Sequence, residues 1–179
     1  MAKHVIVIYG PPLAGKTTVA WALARSFEEK AVVVSVDALL GGSIAVPDAE
    51  AQAELAMVHT QVRLLVATYL KNGYQVVVEG PFLVERGGVL RSFEAEVDQL
   101  VALMRHLAER ALVVRLTASE AVLGERARSA GRETELATAL RAAGAYKERY
   151  GGRFRAFDTG VTAVDAIVGE LRAALGEAG

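Results

Sequence analysis

The chain has 179 residues, 53% of them apolar, with a formal net charge of −1 and no cysteine, which fits one domain with a buried core and excludes disulfides, thiolate metal sites and a catalytic thiol. A charge so close to zero gives no general attraction to nucleic acid or to an anionic membrane, and no apolar run approaches the roughly 18 residues of a membrane span. We therefore expect a soluble cytoplasmic protein with no signal peptide, with a small molecule as its partner and not nucleic acid or a membrane.

The first predicted element is a strand over residues 5–9 that breaks at Gly10. Gly10, Gly15, Lys16 and Thr17 fit the pattern G-x-x-x-x-G-K-[ST] between a strand and a helix. The glycines let the backbone turn tightly, so that amide N–H groups and the positive end of the helix point at phosphate oxygens. We expect Lys16 to neutralise the β- and γ-phosphates of ATP and the Thr17 hydroxyl to bind Mg²⁺. The loop residues expected to hold the nucleotide are Gly10, Pro12, Leu13, Ala14, Gly15, Lys16, Thr17 and Thr18.

Beyond this loop, helical and strand patterns alternate. The predicted helices cover residues 17–29, 49–71, 92–109, 119–129, a segment that ends near residue 150, and 163–175; the predicted strands cover 31–37, 74–80, 111–117 and 155–157. The strands are apolar on both sides, which is typical of a parallel sheet covered by helices on both faces. The pattern predicts an α/β P-loop NTPase fold with three α/β/α layers, a five-stranded parallel sheet and a helical lid. We expect residues 1–179 to form a single domain, with a substrate-side helical segment over 40–72 and the lid over 124–150.

Acidic residues stand where predicted strands end, and ligands of such sheets bind beyond the carboxyl ends of the strands. Asp37 ends the second strand, where its carboxylate could accept a proton from an attacking hydroxyl or hold Mg²⁺ through water. The alternative is a helix cap for a turn at Ala38. Glu79 ends the third strand and could orient water on Mg²⁺ or bind substrate, or else serve as a partner of the loop lysine or threonine. Asp158 follows the last strand, at the same edge of the sheet.

Arginines are the second group of candidates. Arg126, Arg128 and Arg132 cluster in GERARSAGRE, and a guanidinium on a closing segment can stabilise the charge of a phosphoryl group in transfer. Arg126 and Arg132 are the stronger candidates, because Arg128 faces away from Arg126 on the helix. Arg86 lies in a loop that could contact substrate. His59 is mid-helix, where packing is the more common role.

The segments GPPLAGKTT, VSVDALL and VVVEGPF, followed by the lid arginines, resemble the small P-loop kinases: shikimate and gluconate kinases, nucleoside monophosphate kinases, chloramphenicol phosphotransferase and polynucleotide 5′-kinases. The resemblance covers the whole chain. It implies that Asp37 acts as the base toward an acceptor hydroxyl and that Arg126 and Arg132 grip the phosphates. It also implies that the loop over residues 158–161 packs on adenine.

Two departures narrow the resemblance. Shikimate kinases carry a second aspartate where this chain has Ser35, and polynucleotide kinases usually carry an arginine where it has residues 38–40, Ala-Leu-Leu. The segment SVDALL is closest to the chloramphenicol phosphotransferase type. The sequence therefore favours an ATP- and Mg²⁺-dependent kinase that phosphorylates a hydroxyl of a metabolite or antibiotic. The alternatives are a polynucleotide or tRNA 5′-kinase and a non-catalytic nucleotide-binding protein.

Overall fold

The computed structural model describes residues 3–41, 50–86, 89–92, 94–108, 110–146 and 154–176. In chain order its elements are β1 (His4–Tyr9), α1 (Lys16–Ser26), β2 (Ala31–Ser35), α2 (Val36–Gly41), α3 (Ala51–Lys71), β3 (Gln75–Gly80), β4 (Leu83–Arg86), β5 (Val89–Ser92), α4 (Glu94–Leu107), β6 (Arg110–Thr117), α5 (Glu120–Ser129), a 3-10 turn (Glu133–Glu135), α6 (Leu136–Ala145), β7 (Phe154–Asp158) and α7 (Val164–Ala174).

Five strands form one parallel sheet in the order β2-β3-β1-β6-β7. The predicted five-stranded parallel sheet is therefore confirmed. The register pairs Tyr9 with Gly80 and Ser35 with Glu79, so the carboxyl ends of β1, β2 and β3 lie side by side. Ligands of such sheets bind beyond the carboxyl ends of the strands, so a ligand is expected at this edge.

The sheet is the middle of three layers because β1 is buried on both faces. Val5 and Val7 pack in a core cluster with α3 and α4, whereas Ile6 and Ile8 pack in a second cluster with α1 and α7. All four side chains are fully buried. Burying each one stabilises the fold by about 1.5–3 kcal/mol, so β1 fixes the position of the loop that follows it.

The second strand ends earlier than predicted. The prediction of strand through residue 37 is wrong, because β2 ends at Ser35 and α2 begins at Val36. The Ser35 hydroxyl accepts a hydrogen bond from the amide of Ala38 at 3.3 Å, which satisfies one of the free donors in the first turn of α2. Asp37 therefore lies in the first turn of a short helix and not at the tip of a strand.

The segment predicted as a loop after the third strand contains a β-hairpin. Strands β4 and β5 pair antiparallel from Leu83 with Ser92 to Arg86 with Val89. The signal was present in the sequence, since two short β-prone runs are separated by the dipeptide Gly87-Gly88. This hairpin lies outside the parallel sheet.

Local signals set several helix ends. The Ser119 hydroxyl caps α5 by accepting from the amide of Val122, and Gly73 takes a left-handed φ of 78° after α3. Gly131, with φ of 64°, separates α5 from the lid's second helix. The predicted continuation of that helix to residue 150 and the helix start near Pro47 fall outside the described residues. Across the described ranges, every helix is too short or too polar to span a bilayer.

Candidate active site

The loop between β1 and α1 has the backbone that an anion site needs. Gly10 and Gly15 have φ of 152° and 82°, and Leu13 also takes a positive φ, 68°. A Cβ atom on Gly10 would lie 2.2 Å from the carbonyl oxygen of Leu116, so β6 leaves room for glycine alone. Residues with positive φ orient successive backbone N–H groups toward one concave surface. This agrees with the sequence-based expectation for residues 10–18.

Lys16 is the buried cation of this loop. Its Nζ donates a hydrogen bond to the carbonyl oxygen of Pro11 at 2.9 Å, and the residue is 6% exposed. Burial lowers the pKa of Lys16, and the nearby carboxylates of Asp37 and Glu79 oppose that shift. The buried ammonium of Lys16 donates to a carbonyl oxygen and to no carboxylate in these contacts. It is therefore well suited to an anionic ligand, because binding a phosphate recovers the free energy lost when the ammonium was removed from water.

Glu79 is buried beside the loop and contacts Thr17. It is 1% exposed, and its Oε2 accepts a hydrogen bond from the Thr17 hydroxyl at 3.3 Å. Of the three roles that the sequence left open, this contact supports the partner of Thr17. The expectations that Glu79 orients water on Mg²⁺ or binds substrate stay predictions.

Asp37 lies in the wall of the same cavity as Lys16. The carbon atoms of Val36 would lie as close as 2.5 Å to a Cβ on Gly80, so the start of α2 packs directly on the end of β3. We call the loop between β1 and α1 (residues 10–15) the phosphate loop. The close approach of Val36 to Gly80 holds Asp37, the next residue, near this loop. The alternative role as a cap for Ala38 falls to Ser35, which leaves the Asp37 carboxylate exposed toward the cavity.

Arg126 bridges two loops. Its Nη1 donates to the carbonyl oxygen of Leu13 at 3.0 Å and to the Thr159 hydroxyl at 2.9 Å, and its Nη2 donates to the carbonyl oxygen of Thr159 at 2.8 Å. The Thr159 hydroxyl also contacts the carbonyl oxygens of Ala14 and Thr117. Arg126 thus reaches the cavity as predicted, but its guanidinium fixes the phosphate loop to the loop after β7.

Thr159, which the sequence did not single out, takes the position expected of Asp158. The Asp158 carboxylate accepts from the amide of Gly160 at 2.8 Å and shapes the turn after β7, outside the cavity wall. The expectation that the loop over residues 158–161, with Asp158, binds the nucleotide stays a prediction. No local signal distinguished Thr159, because its contacts reach residues 14, 117 and 126 across the fold.

Arg132 lies in the cavity wall, in the lid. Its guanidinium makes a two-point contact with Glu135, Nε to Oε1 at 2.6 Å and Nη2 to Oε2 at 2.5 Å. Arg128 is exposed and donates to the carbonyl oxygen of Gly124 on its own helix, in agreement with its prediction as outward-facing. The structure therefore brings Arg126 and Arg132 to the cavity and leaves Arg128 outside.

These residues surround one cavity of about 920 Å³ between the sheet edge, α2, the hairpin and the lid. One end is formed by the phosphate loop with Arg126 and Thr159. The wall at the other end is formed by Leu40, Pro81, Leu83, Glu85 and Thr138. We call these the phosphate end and the acceptor end. Arg86, which was predicted to contact substrate, is the last residue of β4. Its side chain lies outside the described part of the structure.

The acceptor end contains a polar cluster that joins the hairpin to the lid. The Glu85 Oε2 atom accepts hydrogen bonds from the Thr138 hydroxyl and from the Arg141 guanidinium. The two contacts lower the pKa of Glu85 and keep it ionised. No local pattern indicated this cluster, because Glu85 lies 53 residues from Thr138 and 56 residues from Arg141 along the chain.

Two aromatic contacts support the walls. His59 is buried and stacks on Phe82 with ring centroids 5.5 Å apart, and burial lowers its pKa to about 4. The packing role expected for His59 is thus confirmed. The Tyr146 hydroxyl lies between the carbonyl oxygens of Gly10 and Pro81, so the end of the lid is anchored beside the phosphate loop.

A resident metal site made of protein ligands alone is not found in the described ranges, which hold no group of three or more His, Asp or Glu side chains suited to one. The Thr17 hydroxyl, backed by Glu79, and the nearby Asp37 carboxylate offer oxygen ligands. Magnesium typically keeps several waters and takes one or two protein oxygens with substrate phosphates. The residues therefore fit a magnesium ion that arrives with a nucleotide.

Comparisons with known proteins found one family model that matches the chain and solved structures with a similar fold. A family model described as AAA domain matches residues 5–151. A gluconokinase structure from Sinorhizobium meliloti 1021 is 23% identical, with a TM-score of 0.62, and the match covers 97% of this chain and 91% of that one. A sugar kinase from Janibacter sp. is 14% identical, with a TM-score of 0.61 and coverage of 99% and 96%.

A thymidylate kinase from Candida albicans is 12% identical, with a TM-score of 0.61 and coverage of 98% and 92%. At these identities the likeness shows the fold alone, which this chain shares with these three kinase structures. Among curated proteins, none matches the chain.

Proposed function

The chain belongs to the AAA domain family, and on that premise we propose that it is an ATP- and Mg²⁺-dependent kinase that transfers the γ-phosphoryl group to a hydroxyl of a small molecule. The observation that carries the proposal is the shared cavity wall: Lys16, Thr17, Asp37 and Arg132 all line it. A buried cation, a hydroxyl ligand, a carboxylate and an exposed guanidinium are groups that phosphoryl transfer uses.

Each group has a role at the phosphate end. The loop amides and Lys16 hold the β- and γ-phosphates, and Thr17 would hold Mg²⁺, which neutralises charge on the phosphates when it is bound. Asp37 takes the proton of the acceptor hydroxyl as the oxygen–phosphorus bond forms and the bond to the ADP oxygen breaks. Arg132 stabilises the charge on the transferring group.

The acceptor end supports a small-molecule acceptor over a polymer. Its wall combines the apolar side chains of Leu40 and Leu83, both under 10% exposed, with the polar Glu85 and Thr138. A concave, mostly apolar wall with a few polar groups is typical of sites for small ligands. The net charge of −1 supports the same choice, because a polynucleotide kinase needs a basic groove.

The proposal is tested by replacing the base. We expect Asp37→Asn to retain binding of ATP with Mg²⁺ and to lose about 10²–10⁴-fold in turnover, since proton transfer contributes that much. The measurement is ADP release in a coupled assay against sugars, nucleosides, shikimate-like acids and antibiotics with hydroxyl groups, with nucleotide binding measured in parallel.

Asp158→Asn is the matched control, because that carboxylate lies at the end of β7, outside the cavity wall, where it accepts from the amide of Gly160. Equal turnover by Asp37→Asn and the unchanged protein would exclude Asp37 as the base. Nucleotide binding with no ADP release for any acceptor would favour a non-catalytic nucleotide-binding protein, and acceptance of single-stranded DNA or RNA would favour a polynucleotide kinase.

A further inference from the structure

The lid arginine of the cavity has its own carboxylate partner. Arg132 and Glu135 stand three residues apart around the 3-10 turn and meet through two nearly parallel contacts of 2.6 and 2.5 Å. Both residues line the cavity. A guanidinium uses this same two-point geometry to bind a phosphate, so a phosphate and the Glu135 carboxylate compete for the same N–H groups.

The surroundings make this contact exchangeable. The side chains of Arg132 and Glu135 are 51% and 38% exposed, and exposed pairs contribute little to stability. The charged groups that face the pair from other elements are Lys16 of α1 and Asp37 of α2. Glu135 therefore adds negative charge close to the place where the terminal phosphate of a nucleotide would lie.

We propose that Glu135 is a positioning residue that holds the Arg132 guanidinium until a nucleotide triphosphate arrives, and that it yields this guanidinium to the γ-phosphate. The inference rests on the proposed function for the presence of ATP in the cavity. It adds a residue that limits the affinity for ATP, since each ATP that binds must displace the carboxylate. ADP lacks the terminal phosphate and leaves the pair intact.

The test measures the dissociation constants of ATP and ADP, each with Mg²⁺, for the full chain and its variants. We expect Glu135→Gln to bind ATP about two- to fivefold more tightly, which corresponds to the coupling energies of exposed ion pairs, and to bind ADP unchanged. Glu133→Gln is the matched control, because Glu133 lies on the same 3-10 turn, is exposed and is outside the cavity wall. It should leave both constants unchanged.

The Glu135→Gln substitution is also made in the Arg132→Ala variant, which shows whether its effect on ATP affinity depends on Arg132. We expect Arg132→Ala to lose the preference for ATP over ADP, and Glu135→Gln to have no effect in that background. Weaker ATP binding by Glu135→Gln, an equal shift for ATP and ADP, or the same shift in Glu133→Gln would overturn the proposal. Tight ATP binding without phosphorylation of any acceptor would overturn the kinase function alone, whereas a chain that binds neither nucleotide would overturn both.

Discussion

The two ends of the cavity are built by different means. At the phosphate end, the backbone of one short loop forms most of the concave surface. The shape of this loop follows from Gly10, Gly15 and the buried strand before it. At the acceptor end, the wall is assembled from α2, the hairpin and α6, and its polar residues meet only in the folded protein. The comparison indicates that local structure is enough to shape the phosphate end, whereas the acceptor end depends on contacts between residues that are distant in the chain.

The largest expected effect belongs to the phosphate end. We expect Lys16→Ala to abolish detectable binding of ATP and to reduce turnover by at least about 10³-fold, because one preorganised charge contributes on that scale. The free energy of unfolding should be unchanged or higher, since removing the buried ammonium also removes its desolvation cost. Nucleotide titration and urea denaturation measure the two quantities.

The matched control for Lys16→Ala is Lys71→Ala at the exposed end of α3. It should change neither nucleotide binding nor turnover. A marked loss of stability in Lys16→Ala would mean that the lysine serves the fold, and the contrast between the two ends would lose its main support.

A second prediction concerns the junction between the two ends. We expect Gly80→Ala to lower the free energy of unfolding by about 1–3 kcal/mol, because the new methyl group overlaps Val36 and forces α2 away from β3. Turnover should fall more than ATP affinity does, since Asp37 moves with α2 while the phosphate loop stays in place. Denaturation curves and the separate values of kcat and of the ATP dissociation constant measure this.

Gly169→Ala in α7 is the control for the backbone change. A Cβ there meets no atom within 4 Å, so alanine should stabilise that helix by about 1 kcal/mol. If Gly80→Ala were as stable as Gly169→Ala, the close packing of α2 on β3 would not be what holds Asp37.

The smallest expected effect concerns the wall behind the acceptor end, where His59 stacks on Phe82. Burial lowers the pKa of His59 from 6.5 to about 4, so the unfolded chain binds a proton in this window and the folded protein does not. Stability should therefore fall as the pH drops from about 6.5 to about 4. His59→Leu should flatten this dependence of the free energy of unfolding.

The measurement is urea denaturation across this pH range, with His106→Gln as the control, because His106 is exposed on α4. We expect His106→Gln to keep the slope of the unchanged protein. An unchanged slope in His59→Leu would place the acid sensitivity in other groups and remove His59 from the account of the acceptor wall.

Much of the fold followed from local patterns. The five strands of the sheet were predicted because each depends on residues within a few positions of one another. The end of β2 was wrong by two residues, since the Ser35 hydroxyl captures an amide of α2 and starts a helix where the apolar run alone indicated strand. The hairpin was missed although the Gly87-Gly88 dipeptide indicates one.

The sequence by itself determined the sheet and the phosphate loop, because short continuous apolar runs and the φ angles of glycine act over a few residues. Only the tertiary structure decided that Arg126 fixes Thr159, that Glu79 supports Thr17 and that Glu85 meets Arg141. These partners are 33 to 62 residues apart in the chain. A hydrogen bond between side chains exists only where the packed layers bring both groups within about 3 Å, and no local pattern encodes that meeting.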